Sequence, residues 1–521
     1  MVFSSCKKDF LDEEVYSAYA PETLDDSLGF EASIVGLHNH LSQFFTVDSR
    51  QGWPSVWQVG TDIAYASQQQ GIEVPYYNYN QLISTDDAAF TSWAWGYRMI
   101  NNCNIIITNV ENPNLGGISQ AGKNAFNAEA RFFRAYAYNT LATLFGGVPI
   151  TTEPITKPKT DFTRASLNDV NNLIVQDLTF AMNNLPSIDS VKRSGTRVLY
   201  ARANKACAMQ LLAEAYLRMN RGDLAETLLV NIISSGNFNL ITSRYGIKQS
   251  QPGDYFSDMF WYGNQRYGQG NREAIWVMEL EHPNTVIGGI TNNPQQRRNW
   301  GSAYYQITGM KITDSLGGRG ISRIRLSDWV VYRLYEPNDM RNSHYNLRRR
   351  YWYNTGANAG QPVPYVGADT VFRIAPHPTK WYQFDPADEF GFAMIKDFIL
   401  MRLGETYLLL AEAQFRQNKF NEAAATLTTL RARSNASPVT AGQVTLDFIL
   451  DERARELLAE ENRRMTLMRT RTLVARTTAL NSNSVINAIQ GLQDKHMLLP
   501  IPKAEIDLNK DAILEQNPGY Q

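Results

Sequence analysis

Apolar residues recur at helical spacing over long parts of this chain, and the spacing repeats itself. Leu211-Leu212-Ala213-Glu214-Ala215-Tyr216-Leu217-Arg218-Met219-Asn220 returns as Leu409-Leu410-Ala411-Glu412-Ala413-Gln414-Phe415-Arg416-Gln417-Asn418. The parallel continues with Ala225 and Ala423, then Leu229 and Leu427. Each copy reads as a helix with small residues, a short polar turn, and a second helix whose Ala faces the first. Small residues at that spacing let two helices approach closely, which is the layout of tetratricopeptide repeats. The Pro that usually closes such a repeat is missing from both copies.

The same periodicity predicts further helices. Ile34, Leu37, Leu41 and Phe44 share one face. Ser84-Thr85-Asp86-Asp87 reads as a helix start with acidic residues in the first turn, ahead of Trp93, Tyr97, Ile100 and Ile107. Ala128 to Phe145 stops at Gly146-Gly147-Val148-Pro149. Ser166-Leu167-Asn168-Asp169 resembles a capping box leading into Val170 to Leu185. Thr445-Leu446-Asp447 opens a helix with Glu452, Glu456 and Glu460 four residues apart, offset by Arg453, Arg455, Arg463 and Arg464. Tyr255 to Phe390 is different: rich in Gly, Asn, Pro, Arg and aromatics, with short β-type runs such as Ala274-Ile275-Trp276-Val277-Met278. Its aromatics argue for a functional elaboration over disorder. The pattern predicts a mainly α protein, with helical repeats roughly over 85–250 and 395–475 and an irregular insertion roughly over 251–394.

Composition narrows the function classes. The 521 residues carry 50 Lys+Arg against 51 Asp+Glu, which argues against the basic face of a nucleic-acid binder. No stretch approaches the roughly 18 apolar residues of a membrane helix. Cys6, Cys103 and Cys207 are too few and scattered for a disulfide framework or a zinc site. His38 and His40 would point apart on a helix, so no metal is expected there. No H-E-x-x-H, G-x-S-x-G or Walker-type sequence occurs. Gly317-Gly318-Arg319-Gly320 reads as a turn, and Arg348-Arg349-Arg350-Tyr351-Trp352 as a solvated strand or loop. Asp86-Asp87 and Glu460-Glu461 read as caps or solvated helix faces; a glycosidase dyad of carboxylates distant in the chain stays open at this level.

Tyr (26) outnumbers Phe (23), and there are 10 Trp. Polar-tipped rings concentrate at two places outside the repeats. One holds Trp53, Trp57, Asp62, Tyr65, Tyr76, Tyr77, Tyr79 and Asn80; the other holds Trp261, Tyr262, Trp300, Tyr304 and Tyr305. A sugar presents apolar C–H faces and a rim of hydroxyls, so its site wants flat rings beside Asp, Asn or Arg. The alternative is that about half of these rings pack loops onto helices. Trp93 belongs to the core by its spacing to Tyr97 and Ile100.

These residues resemble the SusD/RagB-like outer-membrane lipoproteins of Bacteroidetes. Ser5-Cys6-Lys7-Lys8-Asp9-Phe10-Leu11-Asp12 is similar to the family's lipidated Cys followed by Asp-Phe-Leu-Asp. Trp93, Tyr97, Ile100 and Asn104 match its W-x3-Y-x2-I-x3-N helix. The most specific motif runs from Ala128-Glu129-Ala130-Arg131-Phe132-Phe133-Arg134-Ala135-Tyr136 through Leu144 to Pro149, followed by Arg402 to Ala413. The tail Leu499-Pro500-Ile501-Pro502 to Gln516-Asn517-Pro518-Gly519-Tyr520 also matches. One helix departs: Arg463-Arg464-Met465-Thr466-Leu467-Met468 stands where the family has R-R-W-x-D-L.

The resemblance implies four tetratricopeptide-like helix pairs in a right-handed scaffold and an irregular ligand-binding half. It implies residues 1–12 as the remnant of a lipoprotein signal and anchor linker, and 13–521 as a single SusD-like domain. It also implies a cell-surface outer-membrane location through a lipid on Cys6. The implied function is capture of oligosaccharides for a SusC-like TonB-dependent transporter, without catalysis, cofactor or metal. A peptide-capturing relative and a helical-repeat adaptor for protein partners are the competing readings. Loop position and side-chain chemistry then nominate Trp53, Asp62, Tyr76, Tyr77, Tyr79, Asn80, Trp261, Trp300 and Tyr304 for glycan contact. The loop Tyr76 to Asn80 carries the most weight, since relatives often place stacking residues there.

Overall fold

The computed structural model describes residues 26–46, 50–282, 286, 289, 294–391, 394–481 and 488–521. Cys6 and the expected anchor segment lie outside the described residues. In chain order the helices are α1 (Ser27–Phe45), α2 (Trp53–Val56), α3 (Asp87–Val110), α4 (Gln120–Phe145), α5 (Leu167–Asn184), α6 (Lys205–Arg218), α7 (Gly222–Ser234), α8 (Tyr255–Asp258), α9 (Gln296–Trp300), α10 (Asp328–Tyr332), α11 (Leu403–Arg416), α12 (Phe420–Ala432), α13 (Leu446–Glu456), α14 (Arg463–Arg469), α15 (Leu473–Asn481) and α16 (Lys503–Leu508). Side-chain oxygens set the starts of the long ones. Asp26 accepts from Gly29 N, Asp86 from Ala89 N, Ser119 from Gly122 N, and Ser166 from Asp169 N. The helix expected from Ala128 begins earlier, because Ser119 caps it. Gly146, at φ 77°, ends that helix in a backbone region that favours glycine.

α3, α4, α5, α6 and α7 pack each on the next, and α7 packs directly on α11, which packs on α12 and α13. The two copies of the repeat are therefore neighbours, although residues 235–402 separate them. Equivalent positions behave alike. Asn220 (φ 58°) and Asn418 (φ 60°) turn the chain through the left-handed region, which Asn tolerates better than most residues. Behind them Arg221 N donates to Tyr216 O and Lys419 N to Gln414 O, both at or near 2.8–2.9 Å. Ala213, Ala215 and Ala225, with Ala411, Ala413 and Ala423, are wholly buried. Where α7 begins against α11, a Cβ on Gly222 would meet the Ala413 carbonyl oxygen at 2.7 Å. These are the close approaches that the small residues of the sequence anticipate.

Short antiparallel ladders complete the fold, all but one of them within or against the insertion. β1 (Ala64–Ala66) pairs with β5 (Ile324–Leu326), β2 (Arg193–Ser194) with β3 (Arg197–Val198), β4 (Ala274–Met278) with β8 (Phe398–Arg402), and β6 (Leu347–Arg348) with β7 (His377–Pro378). β8 runs straight into α11, so the β4–β8 ladder closes the insertion where it rejoins the helices. One large core spans α1 to α7 and much of the insertion, and a smaller one sits under α11, α12 and α13.

A buried ion network ties the insertion to the last helices. Glu456 meets Arg341, Arg402 and Arg433; Glu452 meets Arg341, Arg431 and Arg455. Burial alone would raise the Glu452 carboxyl, but Arg341, Arg455 and Arg431 outweigh it and hold the group at about 2. The network also corrects the expectation of a cap or solvated face for Glu460-Glu461, whose side chains are paired and largely buried. Glu452 and Glu456 are inside, α13 ends at Glu456, and Glu460 is taken by Arg402 and Lys380. Glu461 likewise binds Arg453 and Arg463.

Candidate functional site

The loop weighted most by the sequence proves to be an interior strut. Tyr76 is wholly buried and donates its hydroxyl to Asp86, the cap of α3, at 2.7 Å. The Tyr79 hydroxyl donates to Gly60 O and accepts from Arg464 Nη1 at 2.7 Å. The same guanidinium donates to Val56 O, Val59 O and Tyr76 O, and lies 4.8 Å from the Tyr76 ring centre. Asp62 is no ligand carboxylate: fully buried, it takes Arg463 at 2.6 and 2.8 Å and Arg476 at 2.8 Å. Burial pushes its carboxyl up, yet the two arginines outweigh that and hold it below the usual range. Arg463 and Arg464, at the start of the helix that departs from the expected motif, are thus what fixes this loop. Tyr77 is buried, with its hydroxyl unpartnered, and Asn80 alone of the group is exposed.

The second cluster also divides. Tyr304 is buried and donates to Gly318 O at 2.9 Å, while its ring stacks on Tyr351. Trp300 and Trp53 are buried as well, and with Trp57 they line a common interior cavity, so the structure does bring the two clusters together there. Trp261 is half-buried beneath the Lys248 ammonium, 3.7 Å from the ring centre, and Tyr262 is exposed. Rings that solvent reaches lie elsewhere in the insertion. Tyr332 is 61% exposed and its hydroxyl is 3.4 Å from that of Tyr365, over whose ring the Arg350 guanidinium sits at 4.2 Å. Trp352, on the far side of the buried Tyr351, is 51% exposed. A further group joins Tyr305 edge-to-face with the exposed Phe390, and Arg319 lies about 6 Å from both ring centres. Arg298 stands beside it, its guanidinium pushed down to about 10 by burial and by the like charge of Arg319. Both arrangements offer flat apolar faces next to fixed cationic donors.

Two family models match the chain. One, described as starch-binding associating with outer membrane, takes residues 9–217; the other, the SusD family, takes residues 377–520. Together they cover more than half of the sequence, and the second repeat copy lies within the SusD match. The chain belongs to the SusD/RagB-like family. A SusD-like protein P25 of Formosa agariphila is 24% identical over 565 aligned positions, spanning 100% of this chain and 98% of the relative. Among solved structures, a laminarin binding SusD-like protein superposes with a TM-score of 0.69 at 20% identity, covering 95% of this chain and 99% of that one. Surface glycan-binding protein A from Bacteroides thetaiotaomicron, in complex with laminarihexaose, gives 0.71 at 17% identity, covering 94% and 99%. At these identities the likeness shows the fold, mainly α on a tetratricopeptide-like scaffold.

In this SusD-like chain the exposed aromatic–arginine groups were missed by sequence reasoning, though both signals were on the page. The run Arg348 to Trp352 contains Arg350 and Trp352, and the turn Gly317 to Gly320 presents Arg319. Gly317 and Gly318 have φ of 81° and 79°, and a Cβ on Gly320 would lie 2.1 Å from Gly301 O. Only glycine lets that turn lie so close, and Arg319 projects from it half-exposed. Among the described residues no three His, Cys, Asp or Glu side chains gather as metal ligands would, and no helix is long and apolar enough to cross a membrane.

Proposed function

We propose that this SusD-like protein is a glycan-capture lipoprotein of the outer-membrane surface. It binds oligosaccharides on the exposed rings of its insertion and delivers them, without chemistry, to a SusC-like TonB-dependent transporter. A lipid on Cys6 holds it at the membrane. The observation that carries this reading is the set of rings that solvent reaches in the insertion: exposed Trp352 and Tyr332, half-buried Tyr365 under Arg350, and exposed Phe390 with half-buried Tyr305 near Arg319. Rings cover the C–H faces of a sugar and guanidinium groups meet its hydroxyls. Nominations buried in the structure (Trp53, Asp62, Tyr76, Tyr77, Tyr79, Trp300 and Tyr304) pass out of the surface site; Asn80 and Trp261 stay as candidates at its margin. Laminarin heads the test panel, because two structural neighbours are described by laminarin or laminarihexaose binding.

The test is affinity electrophoresis and calorimetry of the purified protein with polysaccharides and with peptides. Trp352→Ala and Phe390→Ala should each weaken the binding glycan on the order of tenfold, about 1.4 kcal/mol, with unchanged melting. Full affinity in both variants defeats the site. Binding of peptides and of no glycan replaces the substrate class with that of the peptide-capturing relatives.

A further inference from the structure

The outer face of the insertion carries charge as well as rings. From Met340 to Ala368 the chain holds four arginines and no Asp or Glu, although the whole protein is within one charge of neutral. Arg341 belongs to the buried network of Glu452 and Glu456. Arg348 donates to the Tyr382 hydroxyl and to Ser315 O. Arg349 and Arg350 remain. Trp352 forms an antiparallel bridge with Pro362, and Val363 N donates to Tyr351 O at 2.9 Å, so this stretch is extended and alternate side chains share a face. Tyr351 is buried; Arg350 and Trp352, on the other side, are both exposed. The Arg350 guanidinium lies 4.2 Å from the ring centre of Tyr365, whose hydroxyl is 3.4 Å from that of exposed Tyr332.

Arg349 reaches back to α10. Its Nε donates to Val331 O at 3.0 Å, and its Nη1 and Nη2 to Asn342 O at 3.2 Å and Asn342 Oδ1 at 2.7 Å. Every one of these acceptors is neutral, and the titratable groups acting on the guanidinium are the hydroxyls of Tyr335 and Tyr332. Burial therefore pushes Arg349 below its ordinary value with no carboxylate to offset it. Arg325, on β5, acts on Tyr365 from a third direction. Among the described residues, the only carboxylate that meets Arg325, Arg349 or Arg350 is Asp328, 3.9 Å from Arg325. Three guanidiniums against one carboxylate leave positive charge beside the exposed rings. A neutral sugar would cover Trp352 and leave that charge unanswered. A carboxylate or sulfate accepts charge-assisted N–H bonds, about twice as strong as neutral ones, and matches the planar fork of arginine. A nucleic acid would need a row of phosphates neutralised along a basic face, which two spare cations on a chain of net charge −1 do not supply.

We propose, resting on the glycan reading of this face, that Trp352, Arg350, Arg349, Tyr332 and Tyr365 select acidic glycans. The arginines take a carboxylate or sulfate of the sugar, and Trp352 takes the ring that bears it. Calorimetry and affinity electrophoresis of the whole purified protein use two matched pairs: polygalacturonate with its methyl ester for carboxylate, and κ-carrageenan with its desulfated form for sulfate. Laminarin is the neutral control and poly-glutamate the control for charge without sugar. One acidic glycan should bind about tenfold or more tighter than its uncharged counterpart and than laminarin, and the pair that responds tells carboxylate from sulfate. Its affinity should fall about tenfold in Arg350→Gln, further in Arg350→Glu, and steadily with added salt, all at unchanged melting temperature because Arg350 is exposed. Equal binding of the uncharged counterpart, lost in Trp352→Ala, overturns the acidic preference and leaves the glycan site standing. Poly-glutamate bound as tightly as the acidic glycan overturns it too, and assigns the face to an acidic protein. Full acidic-glycan affinity in Arg350→Glu overturns it by placing the anion elsewhere. Binding of neither acidic nor neutral glycan brings down the glycan reading and the acidic preference together.

Discussion

Asp62 is the residue on which a binding reading and a structural reading differ most sharply. As a ligand group its loss would lower glycan affinity and spare the fold. As found, it is wholly buried between Arg463 and Arg476, and Arg463 is itself 0% exposed. Asp62→Asn keeps the shape and removes the charge. Arg476 keeps Asp447 and Asp451, and Arg463 keeps Glu461 and Leu450 O, so neither guanidinium is stranded. That places the cost at the lower end of the range for breaking a buried pair, about 3 kcal/mol. If the chain unfolds as one unit, its unfolding entropy is about 1.1 kcal/mol per kelvin, and the melting temperature should fall by about 3 °C. The pH dependence carries the same signature. A carboxyl held below its unfolded value contributes stability above the ordinary carboxylate range near pH 4 and loses it as pH falls through the folded value. The gap in melting temperature between wild type and variant should therefore be flat above about pH 5 and close in more acidic buffer. Calorimetric scans across that range, with glycan titrations at neutral pH, decide the matter. Unchanged melting together with weakened glycan binding would refute the structural assignment.

Other outcomes follow from single contacts. Gly222→Ala should lower stability by about 1–3 kcal/mol in a denaturant titration, because its Cβ would press on Ala413 O and the helices α7 and α11 must part. Asn418→Ala should cost about 1 kcal/mol in the same titration and Asn418→Gly much less, since the φ of 60° penalises a Cβ without a compensating amide. Burial depresses the Lys396 ammonium to about 7 from an ordinary 10.5, although it donates to Lys380 O and Tyr382 O. Between those values the unfolded chain binds the extra proton, so the wild type should gain stability as pH rises from 7 toward 10.5, and Lys396→Met should lack that gain when melting is compared across the range.

The scaffold was legible because its determinants are local and duplicated. Ala213 and Ala411, or Asn220 and Asn418, announce the same close packing and the same turn twice, and each copy supports the other. The insertion was legible only as a change of texture. Whether a Tyr is a strut or a surface depends on what lies across from it, and the partners are remote. Tyr79 answers to Arg464 and Asp62 to Arg463, some four hundred positions on, in a helix that looked like a departure from its motif. Glu460 and Glu461 misled for a related reason. Adjacent carboxylates fit a solvated face equally well until Lys380, from the insertion, is seen to pair with Glu460. The exposed rings escaped attention because they sit singly between buried neighbours, as Trp352 does beside Tyr351.

The stacking of α7 on α11 has a consequence for synthesis. During translation α3 to α7 emerge with the outer face of α7 bare, and the helix that covers it follows only after residues 235–402. Closing so long a loop is slow and makes the pairing one of high contact order. The half-built stack must spend that interval with its Ala- and Leu-rich flank open to other chains.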